Sequence, residues 1–302
     1  MPIPEHLESI WEMKPYRGGI VGQGYGANAV WLMHFDGTTW TEIPLTPANA
    51  EPLGGAWIAV SEDTVFAMRG YWQDEGFLIT EASVIGPDLI PRPAALPPVD
   101  TWDNVGIELA GSESGFVLAT TDYTTSSEMT VWHSADGTQW TLLADSQKLE
   151  DAQYLRQVQN HRSQYFVVGD AAEMVCSNLS DGRDCILLSN LWRSPDGTAW
   201  EKVLTDTGHA VSTYAIGSGP LGIVAFGQQT FDGTYPRAVY LSTDGINWTS
   251  RGGPTILDPD SSWWWIDTPV VSGDTVLAMG SSYNESDSRE QPFMIIGRLV
   301  EE

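Results

Sequence analysis

His34-Phe35-Asp36-Gly37-Thr38-Thr39-Trp40 is a phrase that the chain repeats three more times. The other copies are Ser134-Ala135-Asp136-Gly137-Thr138-Gln139-Trp140, Ser194-Pro195-Asp196-Gly197-Thr198-Ala199-Trp200 and Ser242-Thr243-Asp244-Gly245-Ile246-Asn247-Trp248. An apolar stretch precedes each copy, such as Val131-Trp132 or Leu191-Trp192, and a short strand-like run follows. Self-similarity spaced by tens of residues marks a repeat architecture, in which each unit buries its apolar surface by stacking on the next. The phrase reads as a tight turn. Glycine supplies the positive-φ position, the aspartate carboxylate accepts backbone N–H bonds, and the tryptophan buries a large side chain at the start of the next strand. Asp36, Asp136, Asp196 and Asp244 are therefore expected to shape turns, with no part in catalysis.

A second repeat locates units that lack the phrase. Six apolar runs end in small residues: Gly19–Gly24, Thr64–Gly70, Gly115–Thr120, Tyr165–Asp170, Gly222–Gly227 and Thr275–Gly280. Continuous apolar runs of this length suit strands buried on both faces. Each is preceded by a strand and a tight turn, and followed by a polar loop and the strand that leads to the phrase. Helical periodicity is nearly absent, with only Ser146 to Val158 able to hold a helical turn. The reading is an all-β, six-bladed β-propeller of four-stranded antiparallel blades, strands a to d from the axis outward. The blades span about 10–45, 56–93, 104–145, 155–205, 213–253 and 264–301, in a single domain of residues 1–302. In blade two, Thr80–Pro87 replaces the phrase, and blade six stops before a full strand d. Because an open sheet edge is a liability, residues 2–9 are set as the segment that closes the last blade, with Pro2 and Pro4 confining it to an edge.

The phrase resembles the Asp-box (sialidase-type, BNR) repeat of a β-propeller superfamily, whose usual form is Ser-x-Asp-x-Gly-x-x-Trp. The copies here are one residue shorter between Asp and Gly. The resemblance implies the propeller fold, and a range of activities from glycosidases to carbohydrate binders and scaffolds. Catalytic sialidases of that superfamily carry an early Phe-Arg-Ile-Pro segment and three arginines that grip a carboxylate. The corresponding stretch here is Ile10-Trp11-Glu12-Met13-Lys14-Pro15-Tyr16-Arg17, and only Arg156 falls on the upper half of an inferred strand a. Sialidase activity is not expected.

Charge narrows the partners. Forty acidic against 14 basic residues give a net charge of −26, with lysine only at 14, 148 and 202. Such a field repels nucleic acid and anionic membranes. No stretch approaches ~18 consecutive apolar residues, so membrane insertion is not expected either. Cys176 and Cys185 bracket Ser-Asn-Leu-Ser-Asp-Gly-Arg-Asp. They read either as a disulfide closing a hairpin in an oxidising compartment or as two thiols in a reducing one. The disulfide is favoured, and with it a secreted or cell-envelope location after removal of a leader, the cytoplasm being the alternative.

In a propeller the d–a and b–c loops share the end opposite the Asp-Gly turns, so function is sought there. Upper strand-a residues are Glu12, Trp57, Glu108, Arg156, Tyr214 and Asp267. Glu12, Glu108 and Asp267, with Arg156 and Tyr214, form a catalytic set if two carboxyls stand about 5–9 Å apart, as glycosidic chemistry needs. They read equally as the polar lining of a water-filled channel. Tyr71, Trp72, Trp263, Trp264, Trp265 and Trp57 are aromatic candidates for stacking on a sugar or anchoring a protein, or for core packing. Asp258/Asp260, Asp181/Asp184 and Glu285/Asp287/Glu290 hold oxygens of the kind calcium takes, but without the spacing of a calcium loop. No cofactor is expected. The histidines are scattered, and Gly22-Gln23-Gly24-Tyr25-Gly26 sits in a strand and its loop, not at a helix N-terminus. The expected function is a monomeric, non-catalytic propeller that binds a glycan or protein through an aromatic, acidic face; the alternative is a glycoside hydrolase or lyase.

Overall fold

An apolar run whose consecutive residues are all buried needs packing on both faces, and Val65–Met68, within Thr64–Gly70, has it. Val65 and Ala67 pack with Tyr16, Val21, Leu32 and Ile43, while Phe66 and Met68 pack with Ile107, Leu109, Phe116 and Leu118. The run Gly222–Gly227 repeats the pattern: Ile223 and Ala225 pack with Phe166, Val168 and Leu191, whereas Val224 and Phe226 pack with Ile266, Val271, Val276 and Ala278. Alternate residues of one strand thus serve two cores.

The computed structural model describes residues 3–26, 29–45, 54–73, 76–99, 102, 105–122, 129–143, 149, 152–176, 185–203, 211–229, 237–252, 263–266, 268–284 and 289–298. Blade one comprises β1 (Ser9–Tyr16), β2 (Gly19–Gly26), β3 (Ala29–Phe35) and β4 (Trp40–Ile43). Blade two comprises β5 (Gly54–Ser61), β6 (Thr64–Gln73), β7 (Gly76–Ile85) and β8 (Pro91–Ala94). Blade three comprises β9 (Val105–Ser112), β10 (Gly115–Asp122), β11 (Met129–Ser134) and β12 (Thr141–Leu142). Blade four comprises β13 (Ala152–His161), β14 (Gln164–Cys176), β15 (Cys185–Ser194) and β16 (Glu201–Val203). Blade five comprises β17 (Val211–Gly219), β18 (Gly222–Gln229), β19 (Arg237–Ser242) and β20 (Thr249–Gly252). Blade six comprises β21 (Trp263–Ile266), β22 (Val270–Ser272), β23 (Thr275–Asn284) and β24 (Arg289–Arg298). All pairings are antiparallel between neighbours, except that in blade six β21 and β22 both pair with one edge of β23 and β24 with the other. The result is the expected all-β, six-bladed propeller. It divides into two compact units, Met1–Lys148 with Asp196–Thr198, and Leu149–Pro195 with Ala199–Glu302. No helix among the described residues is long and apolar enough to cross a membrane.

The repeated phrase does what its chemistry predicts. Asp36 Oδ1 accepts from the N–H groups of Thr38 and Thr39, both at 2.8 Å, and Asp244 Oδ1 accepts from those of Ile246 and Asn247, also at 2.8 Å. Asp136 and Asp196 each accept from a threonine N–H at 2.8 Å. Gly37, Gly137, Gly197 and Gly245 all have positive φ. In the copies of blades three and five the leading serine takes the glycine N–H: Ser134 Oγ from Gly137 and Ser242 Oγ from Gly245, each at 2.8 Å. Blade two turns without the phrase. There Asp88 accepts from Ile90 N–H at 3.2 Å and Leu89 takes the left-handed position at φ 58°.

Two expectations are corrected. Residues 152–158, inside the segment read as able to hold a helical turn, belong to β13 and pair with β14; the burial of Leu155, Gln157 and Val158 within a sheet overrides local propensity. The polar loop expected directly after Thr64–Gly70 is also shorter, because the strand runs on: Tyr71 and Trp72 lie in β6, opposite Leu78 and Phe77 of β7.

Of the segment 2–9, residues 4–7 close a turn on themselves, and His6 and Glu8 contact blade one. Leu7 N–H bonds Pro4 O at 3.0 Å, Glu8 N–H bonds Tyr25 O at 2.6 Å, and the His6 ring meets Trp31 edge-on. Among the described residues no strand pairs with the outer edge of β24. On one face of blade six Met279, Met294 and Ile296 stand exposed, while Val276 and Ala278 on the other are buried.

Candidate binding site

The inner strands of four blades carry the same irregularity. In blade one, Glu12 and Met13 of β1 face the single residue Gly22 between the pairs Trp11↔Gln23 and Lys14↔Val21. In blade four, Arg156 is the extra residue between Leu155↔Gly169 and Gln157↔Val168. In blade five, Tyr214 is extra between Thr213↔Gly227 and Ala215↔Phe226. In blade six, β21 ends at Ile266↔Gly280 and β22 resumes at Val270↔Leu277, again with one residue too many. Blades two and three pair without a break through Trp57↔Met68 and Glu108↔Ala119. A bulge leaves its extra residue unpaired and re-aims the side chain, a feature concentrated near functional sites. Glu12, Arg156 and Tyr214 therefore sit at a bulge.

Glu12 is the fully described case. Its φ of 50° is left-handed, which a non-glycine residue adopts only when its surroundings impose it. Gln23, 3% exposed, donates from Nε2 to Glu12 Oε2. The orientation of that amide follows from its other end, where Oε1 accepts from Ala56 N–H at 3.2 Å and from Tyr25 OH at 3.0 Å. Glu12 stays open to solvent on one side, yet enough protein surrounds it that burial pushes its carboxyl up to about 7. The nearby Lys14 charge, the Ile58 backbone N–H and the Gln23 amide all pull the other way and only reduce the shift. Burial also raises the Tyr25 phenol, with the Glu12 charge adding to it. The cluster thus offers a carboxyl poised between its two forms, a phenol and a fixed amide on adjacent strands.

Blade four builds a different cluster at its bulge. Arg156 Nε donates to Asp170 Oδ1 at 2.5 Å, and Ser189 Oγ donates to the same oxygen. The Asp170 side chain is 6% exposed and that of Arg156 36%, so the arginine side chain reaches solvent while its partner is enclosed. Directly after the bulge, Gln157 bonds both backbone groups of Ile216, at 2.8 Å to O and 2.9 Å from N, and Thr268 Oγ1 at 3.1 Å. That side chain locks the inner strands of blades four and five together, with a further contact to blade six. A carboxylate clamp needs convergent, uncommitted guanidinium forks; Arg156 is committed to Asp170, and Arg69 donates to Leu45 O at 3.3 Å.

The remaining candidates are not brought into these clusters. Glu108 is half-buried on regular β9. Trp57 is half-buried and packs against the core between blades two and three. Tyr71, Trp72, Tyr214, Trp263, Trp264 and Trp265 have described backbone only, and Asp267 lies outside the described residues. Of the calcium candidates, Asp181, Asp184, Asp258, Asp260, Glu285 and Asp287 lie outside them too, and Glu290 contributes backbone alone. Among the described residues no group of three His, Cys, Asp or Glu could hold a metal ion. Gln23, Asp170 and Ser189 escaped the sequence reading, although a signal existed for the first two. Each is a polar residue inside or ending a run that is buried on both faces, where a polar side chain needs a partner.

Neither a protein-family profile nor a curated protein sequence matches the chain. Solved structures do. The β-propeller domain of the Trilobed protease from Pyrococcus furiosus, described as having an open velcro topology, superposes with a TM-score of 0.54 at 11% identity over 98% of this chain and 84% of its own. Trypanosoma rangeli sialidase in complex with the inhibitor DANA gives 0.47 at 11% identity over 93% of this chain, which spans about half (53%) of the sialidase. Aleuria aurantia lectin in complex with α-methyl-L-fucoside gives 0.44 at 11% identity, over 95% and 93%. At these identities the likeness extends to the fold alone.

Proposed function

We propose that this chain is a non-catalytic binding propeller whose ligand is a glycan, bound at the strand-a end where the b–c loops emerge. The observation that carries the reading is the Glu12–Gln23–Tyr25 cluster: carboxyl, amide and phenol together, solvent-accessible at Glu12 and fixed by a bulge. Sugar hydroxyls are paired donors and acceptors, and planar side chains that combine both functions match them. The net charge of −26 favours a neutral glycan over an anionic one. Tyr71 and Trp72, in the same compact unit as Glu12, are the aromatic residues proposed to stack on a pyranose ring. The test is a panel of immobilised neutral and acidic oligosaccharides probed with the whole chain. Binding to a neutral member, weakened in Trp72→Ala with the melting temperature held, supports the reading. A panel without binders, with capture of a protein partner instead, removes it.

One observation favours a second reading, that of a glycoside hydrolase or lyase. A carboxyl that burial pushes up to about 7 is what a general acid requires near neutral pH. In that case Glu12→Gln retains glycan binding and abolishes release of reducing or unsaturated sugar ends; the binding reading expects no such release from the native chain.

A further inference from the structure

The hairpin of β14 and β15 outruns its own blade. Strand β13 stops pairing at Ala152↔Ala171, but β14 continues five residues beyond Ala171 to Cys176. Past Asp170↔Ser189 the ladder is interrupted, and three residues of β14 face one of β15. It then resumes for three rungs only: Met174↔Leu187, Val175↔Ile186 and Cys176↔Cys185. Among the described residues no third strand pairs with these rungs. A two-stranded ribbon of that length, detached from the sheet by a bulge, is marginal in water without added support. The two cysteines of the chain occupy its last rung, directly opposite each other. Opposed residues of an antiparallel ladder have Cα atoms about 4.5–5.5 Å apart, inside the range of about 4.4–6.8 Å that a disulfide spans.

We propose that Cys176 and Cys185 form an intramolecular disulfide that staples the end of this ribbon and closes the eight residues between them into a ring. The bond forms by thiol–disulfide exchange with an oxidised dithiol donor or glutathione disulfide. One cysteine thiolate attacks the donor and releases a donor thiolate, giving a mixed disulfide. The second cysteine thiolate attacks the chain's sulfur in that mixed disulfide and releases the other donor thiolate. The chain loses two protons and two electrons, and the donor disulfide is reduced to two thiols. The proposal is independent of what the propeller binds.

The test exposes the whole chain to a glutathione buffer rich in the disulfide form. Both thiols should disappear together, independently of protein concentration, and proteolysis should release a peptide linking 176 to 185. Amide exchange adds a structural readout. Reduction should accelerate exchange at Met174, Val175, Ile186 and Leu187 about tenfold or more, leaving Val167 and Val168 of the four-stranded part unchanged. Cys176→Ser should leave Cys185 taking up one glutathione. Thiols that remain titratable, a native chain carrying glutathione adducts, or crosslinks between chains would overturn the bond. Equal exchange in the oxidised and reduced chains would overturn its role as a staple.

Discussion

Blade one holds two carboxylates that the fold drives in opposite directions. Asp36, in the c–d turn, is held down to about 2, because the Thr39 N–H, the Thr38 hydroxyl and the Thr38 N–H all donate to its charged form. Glu12, in the middle of the inner strand, is pushed up to about 7 because burial removes more solvation from it than its few donors replace. The difference is one of construction. The turn supplies backbone N–H groups within three residues of the aspartate, so its charge is satisfied locally in each copy. The bulge takes its partners from β2 and β5, and holds its carboxyl where neither protonation state is fully solvated. The turn spends its polar groups on the fold, and the bulge is where the proposed function places a ligand.

The comparison breaks most readily at the turns. A Cβ on Gly245 would lie 2.4 Å from Phe166 Cζ, at a φ of +75°, and Phe166 is fully buried. Gly245→Ala should cost about 2–4 kcal/mol in chemical denaturation. Ser242→Ala should cost about 1–2 kcal/mol, because it orphans the buried Gly245 N–H. An unchanged unfolding midpoint in both variants would show that the turns do not carry the fold.

The pH dependence sharpens the contrast. Glu12 binds its proton more tightly in the folded chain, so its contribution to stability is fully present below its ordinary 4.5 and is lost as pH rises toward about 7. Asp36 runs the other way: its contribution is present above its ordinary 3.8 and is lost as pH falls toward about 2. Melting temperature should therefore decline between pH 5 and 7 in the native chain, and the decline should flatten in Glu12→Gln. An equal slope in both would assign the effect elsewhere. Tyr25→Phe is expected to be smallest, within about 1 kcal/mol in stability, since it removes one bond at 3.0 Å to a Gln23 oxygen that Ala56 N–H still satisfies.

The turns were legible in the sequence because everything that fixes Asp36 or Asp244 lies within three residues. The six inner runs were legible for a related reason, since burial on both faces leaves its trace in consecutive residues such as Val65-Phe66-Ala67-Met68. The bulges were not. An extra residue in strand a exists only relative to its partner in strand b, and no pattern within Trp11-Glu12-Met13-Lys14 marks which residue goes unpaired. Glu12, Arg156 and Tyr214 were selected by position in the blade; the pairing supplies the reason they differ from Trp57 and Glu108 on regular strands. Gln157 shows the limit from the other side, because its partners Ile216 and Thr268 lie 59 and 111 residues away.

The most direct test of the Glu12 cluster as a binding site is calorimetric titration of a panel-positive neutral oligosaccharide into the native chain and into Glu12→Ala. The account predicts at least a tenfold loss of affinity, about 1.4 kcal/mol, with no fall in melting temperature at pH 7. Equal affinity in the two proteins would contradict it.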